Sequence, residues 1–319
     1  MRSIRPKTIA ATLALLLLAA GCGSDGEDAA ATVQGFPKTL VLGAVPAENS
    51  TDLRAGYDPL IKLLEKETGA KVELSQATDY AGVVEGMIAG KVDLAFLGPF
   101  AYVIATANGA KIQPLGAVIP AKGQPAGYRS YGLTKAGNST VNSLADFKGR
   151  SVCFVDPGST SGFLYPSAGL IEAGVITSSR EKDLTAGLKP VYAGGHDASA
   201  LAVKNGGCEA GFAMQSMVDT TLPGKGELKA EDLKKVWTSE TIAGSLFVGR
   251  QDLGADQISR LTSLLTEKAN ADYLKGQGMC DGDCLLTDED AWGVVAAKDA
   301  DYAGVRQVCA VTKSDKCKS

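Results

Sequence analysis

Short apolar runs that end in turns and feed amphipathic stretches recur along this chain, and that alternation restricts the fold more than any other feature. Thr39 to Val45 reads as a strand, and Tyr57 to Glu67 as a helix with Leu60, Ile61, Leu63 and Leu64 on one side and Gly69 behind it. Lys71 to Leu74 is a second strand, and Tyr80 to Ala89 a helix carrying Val83, Val84, Met87 and Ile88. Val92 to Leu97 is a buried strand, followed by Gly98-Pro99 and a helix through Tyr102 to Ala107. This order implies a mainly parallel sheet covered by helices. The pattern returns after residue 140: strand 151–155, helix to 173, strand near Lys189 to Tyr192, helix 197–205, strand Cys208 to Ala213. A late strand, Ser245 to Val248, leads into helices at 255–270. The expected fold class is α/β with two lobes, each a mainly parallel sheet covered by helices. Ligand residues taken from the strand–helix turns of both lobes would meet in the crevice between them.

The first residues read as a targeting signal. Arg2, Arg5 and Lys7 precede an apolar run from Ile9 to Ala20 that is too short to span a bilayer. The sequence Leu18-Ala19-Ala20-Gly21-Cys22 resembles a bacterial lipobox, so residues 1–21 are expected to be removed and Cys22 lipidated. Residues 22–35 then form a polar, flexible tether. The expected location is the outer face of the cell membrane, held by the lipid alone.

Six cysteines remain after Cys22: Cys153, Cys208, Cys280, Cys284, Cys309 and Cys317. An even number in an exported chain points to disulfides rather than a metal site. Cys153 and Cys208 fall on strands expected to be neighbours, and Cys280 with Cys284 and Cys309 with Cys317 would close short loops. Without Arg2, Arg5 and Lys7 the formal charge moves from −4 to −7. An acidic chain without a basic run is a poor nucleic-acid binder. It can still hold an anion, because local N–H donors decide that.

Asp156-Pro157-Gly158-Ser159-Thr160-Ser161-Gly162 is where such donors concentrate. It lies between the strand Ser151 to Val155 and a helix through Phe163 to Ala173, stopped by Gly174. The first amides of a helix lack internal partners and sit at the positive end of its dipole. Three consecutive hydroxyls add donors, so a tetrahedral oxyanion can be held without a cationic side chain. A second such turn, Gly194-Gly195-His196-Asp197, carries the chain's single histidine at a helix start, with Asp197 placed to cap. Asp79-Tyr80 and Gly127-Tyr128-Arg129-Ser130-Tyr131 supply tyrosines that combine a hydroxyl with an apolar wall. Arg129 is expected to make a salt bridge across the hinge, with pairing to the anion as the alternative.

Taken in order, these segments resemble the phosphate/phosphite/phosphonate substrate-binding lipoproteins of ABC importers. The resemblance rests on Pro46-Ala47-Glu48-Asn49, Asp79-Tyr80-Ala81, Lys91-Val92-Asp93-Leu94-Ala95, Gly98-Pro99 and Gly127-Tyr128-Arg129-Ser130. It continues through Asp156 to Gly162, Gly195-His196-Asp197-Ala198 and Ala200 to Asn205. It implies a type II periplasmic-binding-protein fold, with residues 36–128 plus 246–319 in one lobe and 132–243 in the other. The stretches 127–132 and 242–247 would be the hinge crossings. It also implies oxyanion ligands at Tyr80, Tyr128, Ser159, Thr160, Ser161 and His196. Two positions where aminophosphonate binders of the family place carboxylates fall on Ser216 and Ser245, so the tail side of the pocket is expected to lack an acid and to disfavour an ammonium-bearing ligand.

The resulting expectation is a monomeric binder that captures phosphite, phosphate or a simple phosphonate and delivers it to a permease and ATPase complex. No enzyme activity, cofactor or metal is expected. A binder of another anion such as a sulfonate, and a ligand-sensing subunit, are alternatives within the same fold. A secreted Ser-His hydrolase is the alternative from another class. Against it, threonine rather than serine stands at the centre of Gly158-Ser159-Thr160-Ser161-Gly162.

Overall fold

The computed structural model describes residues 32–33, 35–46, 53–282, 284 and 286–317. The signal segment 1–21, Cys22, most of the tether and Ala47-Glu48-Asn49 lie outside the described residues. Among the described residues no helix is long and apolar enough to cross a membrane.

Two sheets organise the chain. The first has six strands in the order Gly293–Val295, Ile112–Ile119, Leu246–Arg250, Leu94–Leu97, Thr39–Ala44, Lys71–Gln76. The second has five, in the order Lys189–Tyr192, Ser151–Phe154, Ala210–Met214, Ser130–Lys135, Leu233–Thr238. The expectation of mainly parallel sheets needs correction, because both are mixed. Thr39–Ala44 pairs in parallel with both of its neighbours, whereas Leu246–Arg250 runs antiparallel to its own. In the second sheet Ser130–Lys135 is antiparallel to both of its partners. The cause is the path of the chain. Each sheet receives a strand arriving from the other one, and that strand enters against the local direction. The two passages pair with each other, Tyr128 opposite Ile242 and Gly127 opposite Ala243.

Burial follows from the strand composition. All four residues of Leu94–Leu97 are buried, as a central strand covered on both faces requires. Phe96 meets Phe247 at 4.9 Å between ring centroids and Tyr57 edge-on at 6.2 Å. In the second sheet Phe212 contacts Phe147, Phe154 and Trp237. Aromatic pairs of this kind add about 0.5–1.5 kcal/mol each beyond the area they bury. The last helix, Ala303–Thr312, packs on Pro99–Ala107 and also on Tyr165–Glu172. The Ser179 amide donates to the Thr312 carbonyl at 2.8 Å. The C-terminal stretch therefore touches elements of both sheets.

Three disulfides join Cys153 to Cys208, Cys280 to Cys284 and Cys309 to Cys317, with Cα separations of 5.8, 5.4 and 5.6 Å. The first links neighbouring parallel strands, where Gly211 stands opposite Cys153. Replacing Cys153 and Cys208 together by alanine should lower stability by about 2–5 kcal/mol. A urea midpoint unchanged by that double substitution would show that this bridge does not hold the second sheet together.

Candidate functional site

Four helices begin where strands of the two sheets end, and their starts face one another. Tyr80–Ile88 follows Lys71–Gln76 and is capped by the Asp79 carboxylate, which accepts from the Gly82 amide at 2.9 Å. Pro99–Ala107 follows Leu94–Leu97, and its cap residue Gly98 provides no side chain. From the second sheet come the helix beginning at Thr160 and the helix His196–Asn205. Asp197 does not cap the latter. The helix starts one residue earlier than expected, with Gly195 at the cap, and Asp197 falls in the first turn.

The hydroxyl segment has a local geometry that no periodicity reveals. Thr160–Leu164 is a π-helical turn that continues into the α-helix Tyr165–Glu172. The Leu164 amide donates to the Ser159 carbonyl at 3.0 Å, five residues back. Ser159 Oγ accepts from the Gly162 amide at 3.0 Å, and Ser130 Oγ donates to the Ser161 carbonyl at 2.6 Å. Gly162 is obligatory here, because a Cβ would lie 2.3 Å from a Val155 methyl. Ser159, Thr160 and Ser161 are each at most 2% exposed.

The first sheet closes over this turn. The Phe100 amide, at the start of Pro99–Ala107, donates to Thr160 Oγ1 at 2.8 Å. Tyr80 reaches Ser159, and Tyr128 lies against Thr160, Ser161 and Ser245. Gly98 and Gly158 permit the approach: a Cβ on Gly98 would meet Thr160 Oγ1 at 3.3 Å, and one on Gly158 would meet the Tyr80 Cβ at 3.0 Å. A cavity of about 250 Å³ flanks Tyr80, Asp156 and Gly158. It lies beside the cradle, since Ser159, Thr160, Ser161, Tyr128 and His196 do not line it.

His196 is 3% exposed, and its Nε2 lies 3.4 Å from Ser161 Oγ. Its Nδ1 accepts from the Met214 amide at 2.9 Å, which places the ring proton on Nε2, facing the hydroxyls. Burial pushes the imidazolium pKa down to about 3, so the ring is a neutral donor. Burial, and then the nearby Glu289, push the Tyr80 and Tyr128 phenols above their ordinary range, so both also remain neutral donors. The structure thus brings Tyr80, Tyr128, Ser159, Thr160, Ser161 and His196 to one place as a set of uncharged donors. A desolvated oxyanion is stabilised by such a set because its charge is spread over several hydrogen bonds.

Among the described residues Arg129 does not make the expected salt bridge. Its Nη1 donates to the Ser239 carbonyl at 2.7 Å, because a backbone acceptor of the adjacent strand end is the partner within reach. Ser216 and Ser245 both bury hydroxyls that lack a hydrogen-bond partner. Ser245 stands beside Tyr128 and Glu289, but without bonding geometry to either. No contact joins Ser216 to that group; it directly precedes the π-helical turn Met217–Thr221. Ser245 nevertheless has an acid for a neighbour, Glu289, which arrives from a loop far along the chain. Only the three-acid run Asp288-Glu289-Asp290, ahead of buried Ala291, could have signalled it.

A two-sheet α/β protein in which helix starts from both sheets meet at a set of neutral donors has the type II periplasmic-binding-protein fold. Residues 42–302 match the family described as ABC transporter, phosphonate, periplasmic substrate-binding protein. The chain belongs to that family. It is 57% identical over 313 residues to the phosphate-import protein PhnD of Mycolicibacterium smegmatis, with 98% of each chain covered. A solved binding-protein component of an ABC phosphonate transporter from Pseudomonas aeruginosa superposes with a TM-score of 0.72 at 25% identity, covering 88% of this chain and 89% of that one. PhnD1 of Prochlorococcus marinus, solved with methylphosphonate, gives 0.73 at 21% identity, covering 87% and 99%. The family is one of extracytoplasmic substrate-binding transport proteins.

The histidine gives a signed expectation. An imidazole held neutral in the fold but protonatable when unfolded stabilises the protein above about 6.5, and that contribution is lost as pH falls towards about 3. Urea denaturation over that range should show the decline, and His196→Gln should flatten it. An equal slope in both proteins would place the acid sensitivity elsewhere.

Proposed function

We propose that this protein captures a small phosphorus oxyanion, such as phosphate, phosphite or a simple phosphonate, between its two sheets and delivers it to an ABC permease and ATPase. The observation that carries this reading is the π-helical turn Ser159-Thr160-Ser161, faced by the Phe100 amide, Tyr80, Tyr128 and the Nε2–H of His196. Each carries a hydrogen it can donate, and donors of this kind suit the oxygens of a tetrahedral anion. The relatives named for phosphate import and for phosphonate transport support the same ligand class.

The division into lobes 36–128 plus 246–319 and 132–243, with 127–132 and 242–247 as hinge crossings, is part of this proposal. The paired passages at Gly127–Tyr128 and Ile242–Ala243 support it. Ligand held by Tyr80 from one side and Ser159–Ser161 from the other favours the closed arrangement through differential affinity. The protein acts as a monomer without cofactor or metal and is tethered outside the cytoplasm through lipid on Cys22.

The arrangement of His196 argues against a hydrolase. A general base must offer a lone pair to the serine, and here Nε2 carries the proton. Its other nitrogen accepts from a backbone amide, where a triad requires an acid.

Calorimetry against phosphate, phosphite, methylphosphonate, 2-aminoethylphosphonate and sulfate tests the assignment. Phosphorus oxyanions should bind, and Thr160→Val should weaken them by about 1–3 kcal/mol. Wild-type protein that binds none of the phosphorus compounds would refute it. For the anchor, Cys22→Ala should move the protein from the membrane fraction to the soluble one; retention at the membrane would exclude lipid on that residue.

A further inference from the structure

The loop after the Cys280–Cys284 disulfide ends in a narrow turn closed by the Leu286 amide and the Ala291 carbonyl at 3.0 Å. Three consecutive carboxylates leave this turn in three directions. Asp288 accepts from the Tyr57 hydroxyl of the helix Leu53–Thr68 at 2.8 Å. Asp290 accepts from the Thr221 hydroxyl, on a turn beyond the second sheet's Ala210–Met214 strand. Glu289, between them, faces Tyr80, Tyr128 and Ser245. The loop therefore holds onto both halves of the molecule and aims one carboxyl at the two tyrosines that cover the hydroxyl turn.

Two observations separate Glu289 from an ordinary acidic surface. Ser245 is fully buried beside it, with a hydroxyl that has no hydrogen-bond partner among the described residues. The charges that act on Glu289 are those of Asp288 and Asp290, its neighbours on the same loop. A carboxyl so placed should keep its proton well beyond the ordinary range, and burial, followed by Asp288, raises its pKa to about 8.

We propose that Glu289 is a specificity-determining residue that shares one proton with the bound oxyanion, so that the cleft in alkaline conditions retains an anion bringing its own proton and releases one that cannot. The inference rests on the reading of the cleft as a phosphorus-oxyanion site. When Glu289 is protonated, its O–H donates to a phosphoryl oxygen. When it is ionised, a P–OH of the ligand donates to the carboxylate. Either way a single hydrogen lies between two oxygens, and no hydrogen is created or lost. With no proton on either side, two anionic oxygens face each other in a desolvated site and repel. Hydrogenphosphate keeps its hydroxyl in alkaline solution. A fully ionised alkylphosphonate has none.

The groups that could confuse a pH test are Asp288 and Asp290 on the same loop, Tyr57, Tyr80 and Tyr128 opposite, Asp156 beside Tyr80, and His196. The three phenols are pushed up by burial and His196 is pushed down, so none of these four titrates near the Glu289 transition.

The test compares phosphate with methylphosphonate by calorimetry on the intact protein, from neutral pH to well above about 8. In the wild type, methylphosphonate affinity should fall about tenfold per pH unit above the Glu289 transition while phosphate affinity stays level. Methylphosphonate binding there should take up about one proton, read from the dependence of the heat on buffer ionisation. In Glu289→Gln the slope and the proton uptake should vanish, because the amide donates without titrating. Glu289→Asp, which keeps an acid, should keep a slope, and thermal melts establish that both variants fold. The inference is overturned if wild type and Glu289→Gln share the same slope and uptake. It is also overturned if Glu289→Gln loses only 2-aminoethylphosphonate, which would assign the carboxyl to a ligand ammonium. Failure of the wild type to bind either anion at neutral pH would instead remove the underlying reading of the cleft.

Discussion

The organising interaction of this protein is the meeting of helix starts across the gap between two sheets. Thr160 Oγ1 accepts from the Phe100 amide, so the first turn of a helix on one sheet is tied to the first turn of a helix on the other. Helix starts carry unpaired N–H groups and partial positive charge, and bringing several together is unfavourable unless something negative or hydrogen-bonding lies between them. The site exists because the fold imposes that arrangement. The small residues Gly98, Gly158 and Gly162 let the backbones come close enough for it.

A second property follows from burial. The tyrosines, the histidine and the serine and threonine hydroxyls are neutral, and each carries a hydrogen it can donate. Local dipoles rather than net charge set the electrostatics of such a group. Glu289 differs from these groups, since it is an acid beside an otherwise neutral donor set.

The same interactions explain why the chain crosses between sheets more than once. The passages at Gly127–Tyr128 and Ile242–Ala243 pair with each other, and Tyr128 itself lies against the hydroxyl turn. The Ala303–Thr312 helix rests on elements of both sheets, and the 287–290 loop bonds to Tyr57 on one side and Thr221 on the other. Movement of one sheet relative to the other therefore has to remake contacts at the cradle, the C-terminal helix and the acidic loop together.

Much of this was legible along the chain, because hydrophobic period and turn residues are local. The strands ending at Leu97 and Phe154, the hydroxyl run Ser159–Ser161 and the histidine after Gly194-Gly195 could be placed on strand–turn–helix units from sequence alone. The mixed strand directions could not, since a strand arriving from the other sheet looks the same in sequence as one built in place. Nor could the π-helical turn, which depends on Val155 packing against Gly162. The tautomer of His196 depends on an amide 18 residues away. Glu289 depends on a loop almost 130 residues beyond Thr160, which only the folded chain brings to Tyr80 and Tyr128. The sequence by itself determined which residues could donate to an oxyanion, because donor chemistry and helix starts are local properties. Tertiary structure alone decided which way each donor points and which acid faces it, because direction and burial arise only when distant segments exclude water from one another.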